Sequence, residues 1–167
     1  MSIFIFAASD SAVYGKEENM GMKLTSPAFL NGASIPSKFT CEGDDINPQL
    51  VIENIPAGTK SLTLIVDDPD APMKTWVHWV VYDIDPTINR IAENSIPGKQ
   101  GINDFRRKDW GGPCPPSGTH HYYFKLYALD KVLGIAEGID RIALEKAMAG
   151  HILAKSELVG LYKRGKH

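Results

Sequence analysis

The sequence predicts a mainly β domain, on two observations. Four runs of 7 to 10 residues are rich in Val, Ile, Tyr, Phe or Trp and are bounded by Pro, Gly, Asn or Asp, which is how strands and their turns read. Only one long stretch repeats its apolar residues at a helical period.

Taken in chain order, residues 1–21 read as an N-terminal extension. The opening "MSIFIFAAS" lacks the basic region of a secretory signal, and Met20 and Met22 each offer an alternative start just before "KLTSPAF". A single domain is expected over residues 22–167, long enough to bury a core without staples. The expected strands are "QLVIENI" at 49–55, "SLTLIVDD" at 61–68, "WVHWVVYDI" at 76–84 and "HHYYFKLYAL" at 120–129. Alternation places His78, Val80, Tyr82 and Ile84 on one face of the third run, and His120, Tyr122, Phe124, Leu126 and Ala128 on one face of the fourth. Between these runs, residues 86–119 carry five prolines and five glycines, and the string "GGPCPPSGTH" predicts an ordered, rigid loop there. "GIDRIALEKAMAGHIL" predicts a helix, with Ile139, Ile142, Leu144, Met148 and Ile152 near a 3.6 period and Asp140 placed to cap its start. "SELVGLYK" reads as a last strand.

Composition narrows the function classes. Eighteen basic against twenty acidic residues give a net charge of −2, so no global positive field exists to hold a nucleic acid or an anionic membrane surface. No run approaches the roughly twenty apolar residues of a membrane helix, and the reading is a soluble, cytoplasmic protein. Cys41 and Cys114 could close one long loop, but a cytoplasmic setting favours two reduced, largely buried thiols.

The chemistry concentrates in three places. In "DDPDAP" at 67–72, Pro69 and Pro72 hold Asp68 and Ala71 extended, so that Asp68 and Asp70 are presented from a stiff turn; a cis bond is allowed at Ala71–Pro72. His78 sits on an apolar strand face. Of the adjacent pair His120 and His121, His120 shares an uncharged face while His121 shares its face with Lys125, which selects His120 for a pocket. An anion needs several donors aimed at one point with water excluded. The rings of His78 and His120, the Tyr122 hydroxyl and backbone N–H groups of the 111–118 loop, Gly112 among them, are the candidate donors. Asp68 can accept one ring N–H, fixing the tautomer and favouring the imidazolium. Asp67 and Asp70 read as turn and surface residues, with Asp70 a secondary candidate for a ligand's cationic end. Trp76, Trp79 and Trp110 are candidate apolar walls.

The strings "DPDAP" at 68–72, "HW" at 78–79 followed by "VVY", and "GPCPPSGTHHYYFKLYALD" at 112–130 resemble signature elements of the phosphatidylethanolamine-binding protein family, in its bacterial and archaeal Raf-kinase-inhibitor-like branch. "KLTSPAF", "TCEGDDINPQL" and "GHILAKSELVGLYKR" extend the likeness from about Lys23 to Arg164. The resemblance implies a large antiparallel sheet packed on a smaller one, a peripheral C-terminal helix and an anion pocket at one end. It implies a binding protein with no cofactor and no established reaction. Asp68 matches the family's pocket aspartate, His78 and His120 its two histidines, and Tyr122 lies two positions after the second; Pro115 and Pro116 fall on the pocket rim. One departure stands out: His121 occupies a position where relatives commonly carry Arg, which leaves the rim's ion pairing open. The expected ligand is a small anion, a phosphate or a phosphorylated or zwitterionic head group. The resemblance also admits a kinase or protease partner and a homodimer.

Three rival readings draw on the same residues. A metal site could draw on Asp68, Asp70, Cys114, His78 and His120, but their spacings match no zinc pattern and no calcium loop. A hydrolase would need Ser117 or Cys114 activated by His120, without a nucleophile elbow or a helix N-terminus to help. The resemblance also allows a protein that modulates kinases or proteases through its surface, with a vestigial pocket, and nothing in the sequence argues against it.

Overall fold

The computed structural model describes residues 21–165. The expectations for the N-terminal extension before Gly21, and for His167, lie outside the described residues. The strands are β1 (Lys23–Thr25), β2 (Leu50–Glu53), β3 (Ser61–Asp68), β4 (Trp76–Ile84), β5 (Arg90–Ile91), β6 (Lys99–Gln100), β7 (His120–Leu129) and β8 (Ile152–Tyr162), with helix α1 (Arg141–Met148) between the last two. They form two antiparallel sheets, a small one in the order β1-β2-β5 and a large one in the order β6-β4-β3-β7-β8.

The order follows from what each face must bury. Leu24, Leu50, Ile52 and Ile91 of the small sheet meet Leu62, Leu64, Val66, Phe124 and Leu126 of the large sheet in one apolar core. On the far face of the large sheet, Ile65, Val80, Tyr82 and Leu129 are covered by Leu144 and Met148 of α1. β3 is therefore buried on both faces along its whole length, which explains its consecutive apolar residues Leu64, Ile65 and Val66. Each fully buried aliphatic side chain contributes about 1.5–3 kcal/mol.

Two β-bulges in β4 correct the alternation expected from the sequence. Val66 pairs with Trp79 and Asp67 with Val77, so His78 is the extra residue; Leu64 pairs with Val81 and Leu62 with Ile84, leaving a second irregularity where Asp83 takes φ 52°. Each bulge resets the side-chain phase. Val80 and Tyr82 remain on the helix side, whereas Trp79, Val81 and Ile84 enter the core between the sheets. His78 leaves the face it was expected to share with Val80 and Tyr82, and its ring packs edge-on against Tyr122 at 5.1 Å. That displacement places it at the site.

Other expectations are corrected by packing. Asp67, expected at the surface, is fully buried on the helix side, where Oδ2 meets Lys125 Nζ at 2.8 Å and Arg141 Nη1 at 3.3 Å and so ties β3 to β7 and α1. Ile142, expected on the buried helical stripe, is 60% exposed, and Ile152 already belongs to β8. The helix ends at Ala149, after which Gly150 adopts φ +79°, a conformation that favours glycine at a helix C-terminus. Its start is as expected, with the Asp140 carboxylate accepting the Ala143 N–H at 2.8 Å. Asp140→Ala is expected to lower stability by about 1 kcal/mol in urea denaturation, with the denaturant dependence unchanged.

The cysteines are corrected as well. Cys41 and Cys114 form a disulfide, with Cα atoms 5.5 Å apart, and Cys41 is exposed rather than buried. The surrounding backbone holds the two loops together. Cys41 N–H donates to Pro113 O at 3.2 Å, and Gly112 N–H donates to Asp45 Oδ1 at 2.7 Å. A Cβ on Gly112 would stand 2.5 Å from Phe39 O, so this close approach requires glycine. Among the described residues every peptide bond is trans, including Ala71–Pro72.

Candidate functional site

Asp68, the last residue of β3, and His120, the first of β7, sit at the same end of adjacent strands. Asp68 Oδ1 accepts the Asp70 N–H at 2.8 Å, a turn that the flanking prolines stiffen, and Oδ2 lies 2.6 Å from His120 Nδ1. Because a carboxylate offers only lone pairs in this bond, Nδ1 carries the proton and Nε2 is the nitrogen left for a ligand. Both side chains are buried, at 3% and 6% exposure.

The bulge in β4 brings His78 in from the other side. Its Nδ1 donates to Gly111 O at 2.6 Å, while Gly111 N–H donates back to His78 O at 3.1 Å. A carbonyl cannot donate, so Nδ1 again holds the proton and Nε2 is the second uncommitted ring nitrogen. Burial holds the His78 ring below the ordinary histidine range, against the opposing pull of the Gly111 carbonyl and the Asp68 charge. His78 is therefore neutral at pH 7.

Tyr122 lies two residues along β7 from His120. Among the described residues its buried hydroxyl has no hydrogen-bond partner of good geometry, although the Cys114 backbone lies near it. Burial, reinforced by the charges of Asp68 and Asp70, pushes its ionisation far above the usual tyrosine range, so the group is a proton donor at every working pH.

These four residues line a hollow of about 250 Å³, walled by Pro72, Trp76, Phe105, Cys114, Pro115 and Pro116. The structure thus brings Asp68, His78, His120, Tyr122, Pro115 and Pro116 together. The three secondary candidates fall elsewhere. Asp70 turns to the rim, where its carboxylate accepts the His121 backbone N–H at 2.8 Å and pairs with the His121 ring at 2.6 Å. That side-chain hydrogen bond holds the Asp70 carboxyl below the usual range. His121 thereby gives Asp70 a ring partner at the position where the resemblance implies relatives commonly carry Arg. Trp79 faces the core and donates Nε1–H to Gln100 Oε1 at 2.8 Å. Gly112 spends its N–H on Asp45 and Gly111 on His78, so these two amides do not serve the hollow.

Phe105 is the wall the sequence did not reveal. Its ring packs edge-on to His78 at 5.4 Å and to Trp76 at 5.5 Å. Gly111 lets it approach, since a Cβ there would stand 2.4 Å from the Phe105 ring. A lone Phe ahead of "RRKD" in a long loop has no periodicity to mark it.

A two-sheet β fold with paired histidines, an aspartate and a proline loop at one end defines a class, and comparison with known proteins agrees. The model of the phosphatidylethanolamine-binding protein family matches residues 25–163, and the chain belongs to that family. A UPF0098 protein of Pyrococcus horikoshii is 50% identical over 162 residues, covering 90% of this chain and 80% of that protein. A UPF0098 protein of Methanothermobacter thermautotrophicus is 45% identical over 152 residues, 86% of this chain and 100% of that protein. Among solved structures, a putative family homologue from Chlamydia trachomatis superposes with a TM-score of 0.85 at 43% identity, over 87% of this chain and 99% of that one. YbcL of E. coli gives 0.79 at 29% identity, over 86% and 99%. No helix among the described residues is long and apolar enough to cross a membrane.

Proposed function

We propose that the protein binds a small anion in the hollow between His78 and His120, a phosphate or a phosphorylated or zwitterionic head group, without transforming it. The observation that carries this reading is the Tyr122 hydroxyl, a buried donor with no hydrogen-bond partner among the described residues. Leaving such a group unpaired costs about 1–3 kcal/mol, which a ligand oxygen would recover. Both histidines line that hollow with Nε2 uncommitted, and its apolar walls strengthen the interaction of charges meeting there. Phosphatidylethanolamine, which gives the family its description, also carries an ammonium group, and the remaining lone pairs of Asp68 suit it.

Neutral His78 must gain a proton before Nε2 can donate to an anion. Binding is therefore coupled to proton uptake, and affinity rises as pH falls. Sulfate, whose charge is constant over the range, is the cleanest probe. Its affinity is expected to be flat at high pH, then to increase by at most about tenfold per unit as pH falls through the His78 value of the complex, and to level off below that of the free protein. Calorimetric titration in two buffers of different ionisation heat measures the uptake directly. A sulfate affinity independent of pH between 5 and 8, or no binding, contradicts the proposal.

A further inference from the structure

The bulge that turns His78 into the first hollow leaves its neighbour Trp79 on the floor of a second. This one, of about 450 Å³, has Trp79, Trp110, Gln100, Asn94, Asp45 and Asp109 among its lining residues. We propose that it is a separate binding site for a neutral, polyhydroxylated ligand of monosaccharide size.

Gln100 carries the argument. It is 7% exposed, and its Oε1 accepts the Trp79 indole N–H at 2.8 Å. An indole only donates, so the amide has one orientation, and Nε2 is its other arm. No acceptor among the described residues meets that arm. A carboxamide held by one end, with its other donor uncommitted and accessible beside the cavity, can donate to an acceptor from outside the chain.

The remaining lining sets the chemistry. No Lys, Arg or His lines the hollow, which argues against the anions of the first site. Asp45 commits Oδ1 to the Gly112 N–H, and Asp109 Oδ1 meets Arg107 Nε at 3.0 Å, so each keeps its other carboxylate oxygen as an acceptor while its charge is partly offset. Offset carboxylates gain less from a cation than from hydroxyl donors. The Asn94 amide at the rim can both donate and accept. Two carboxylate acceptors, the Gln100 donor and the Asn94 amide around one hollow match the alternating donors and acceptors of a sugar ring.

The test uses N-acetylglucosamine as probe, with inorganic phosphate and ethanolamine as separate arms, and follows the indole N–H signals of Trp79 and Trp110 by NMR. The sugar is expected to move both signals saturably, while phosphate and ethanolamine leave them in place. Gln100→Glu still accepts from Trp79 but loses the donor, and is expected to weaken the sugar by about tenfold. Asn94→Gly, an exposed change that suits the left-handed backbone there (φ 51°), is expected to weaken it severalfold and serves if the first variant does not fold. No saturable movement with the sugar, movement with ethanolamine in its place, or unchanged affinity in the folded variants overturns the proposal. Because phosphate reports on the first hollow independently, failure here leaves that reading intact.

Discussion

His120→Ala is expected to lower stability by about 3–5 kcal/mol, because it strips a carboxylate that is 3% exposed of its ring partner and leaves it buried. The Asp70 amide would then be the one remaining hydrogen-bond partner of the Asp68 carboxylate among the described residues. Anion affinity should fall by about 10- to 100-fold with the loss of one charge-assisted donor. The rim pair serves as the control. His121→Ala breaks a comparable 2.6 Å contact, but its side chain is 49% exposed, and the expected loss is below about 1 kcal/mol. Urea denaturation of both variants, together with Asp68→Asn and the double substitution, gives the coupling energy. Equal small losses in His120→Ala and His121→Ala would mean that the buried pair has no special weight.

The second large effect belongs to the disulfide. Cys41 and Cys114 are 73 residues apart, and closing a loop of that length restricts the unfolded chain by about 4 kcal/mol on the chain-entropy account. Replacing both cysteines by serine is expected to lower the thermal midpoint by about 10 °C. Reduction should reproduce the shift in the unsubstituted protein and leave the variant unchanged. The same link fixes the Cys114–Pro116 wall against the loop that carries Cys41, so sulfate affinity should weaken severalfold in the variant. An unaltered midpoint after verified reduction would show that the loops are held by their backbone hydrogen bonds alone.

Much of this architecture is legible in the sequence, and what is not has identifiable causes. β3, β4 and β7 are where the β-branched and aromatic runs place them, because those residues suit a pleated, buried surface. β1, β5 and β6 have three or two residues each, too few for any period to register. The Asp140 cap follows from local chemistry, whereas the exposure of Ile142 depends on which helical face the sheet covers. Asp68, His120 and Tyr122 keep their expected orientations because β7 alternates without interruption beside β3. His78 also reaches the hollow, by a route that strict alternation did not foresee: a bulge set by pairing across the sheet supplies the needed half-turn. The burial of Asp67 beside Lys125 and Arg141 joins residues from three elements, information no local window contains. The Cys41–Cys114 pairing is of the same kind, a meeting of loops distant in the chain.

The central claim is that two imidazoles and a buried phenol converge on one anion. The most direct measurement is the NMR titration of isotopically labelled histidine rings with inorganic phosphate. The account predicts that the Nε2 signals of His78 and His120 move together and saturably, with His78 shifting towards its protonated form, while His121 and His151 stay in place. Movement confined to His121 and His151, or four rings responding alike and without saturation, would contradict it.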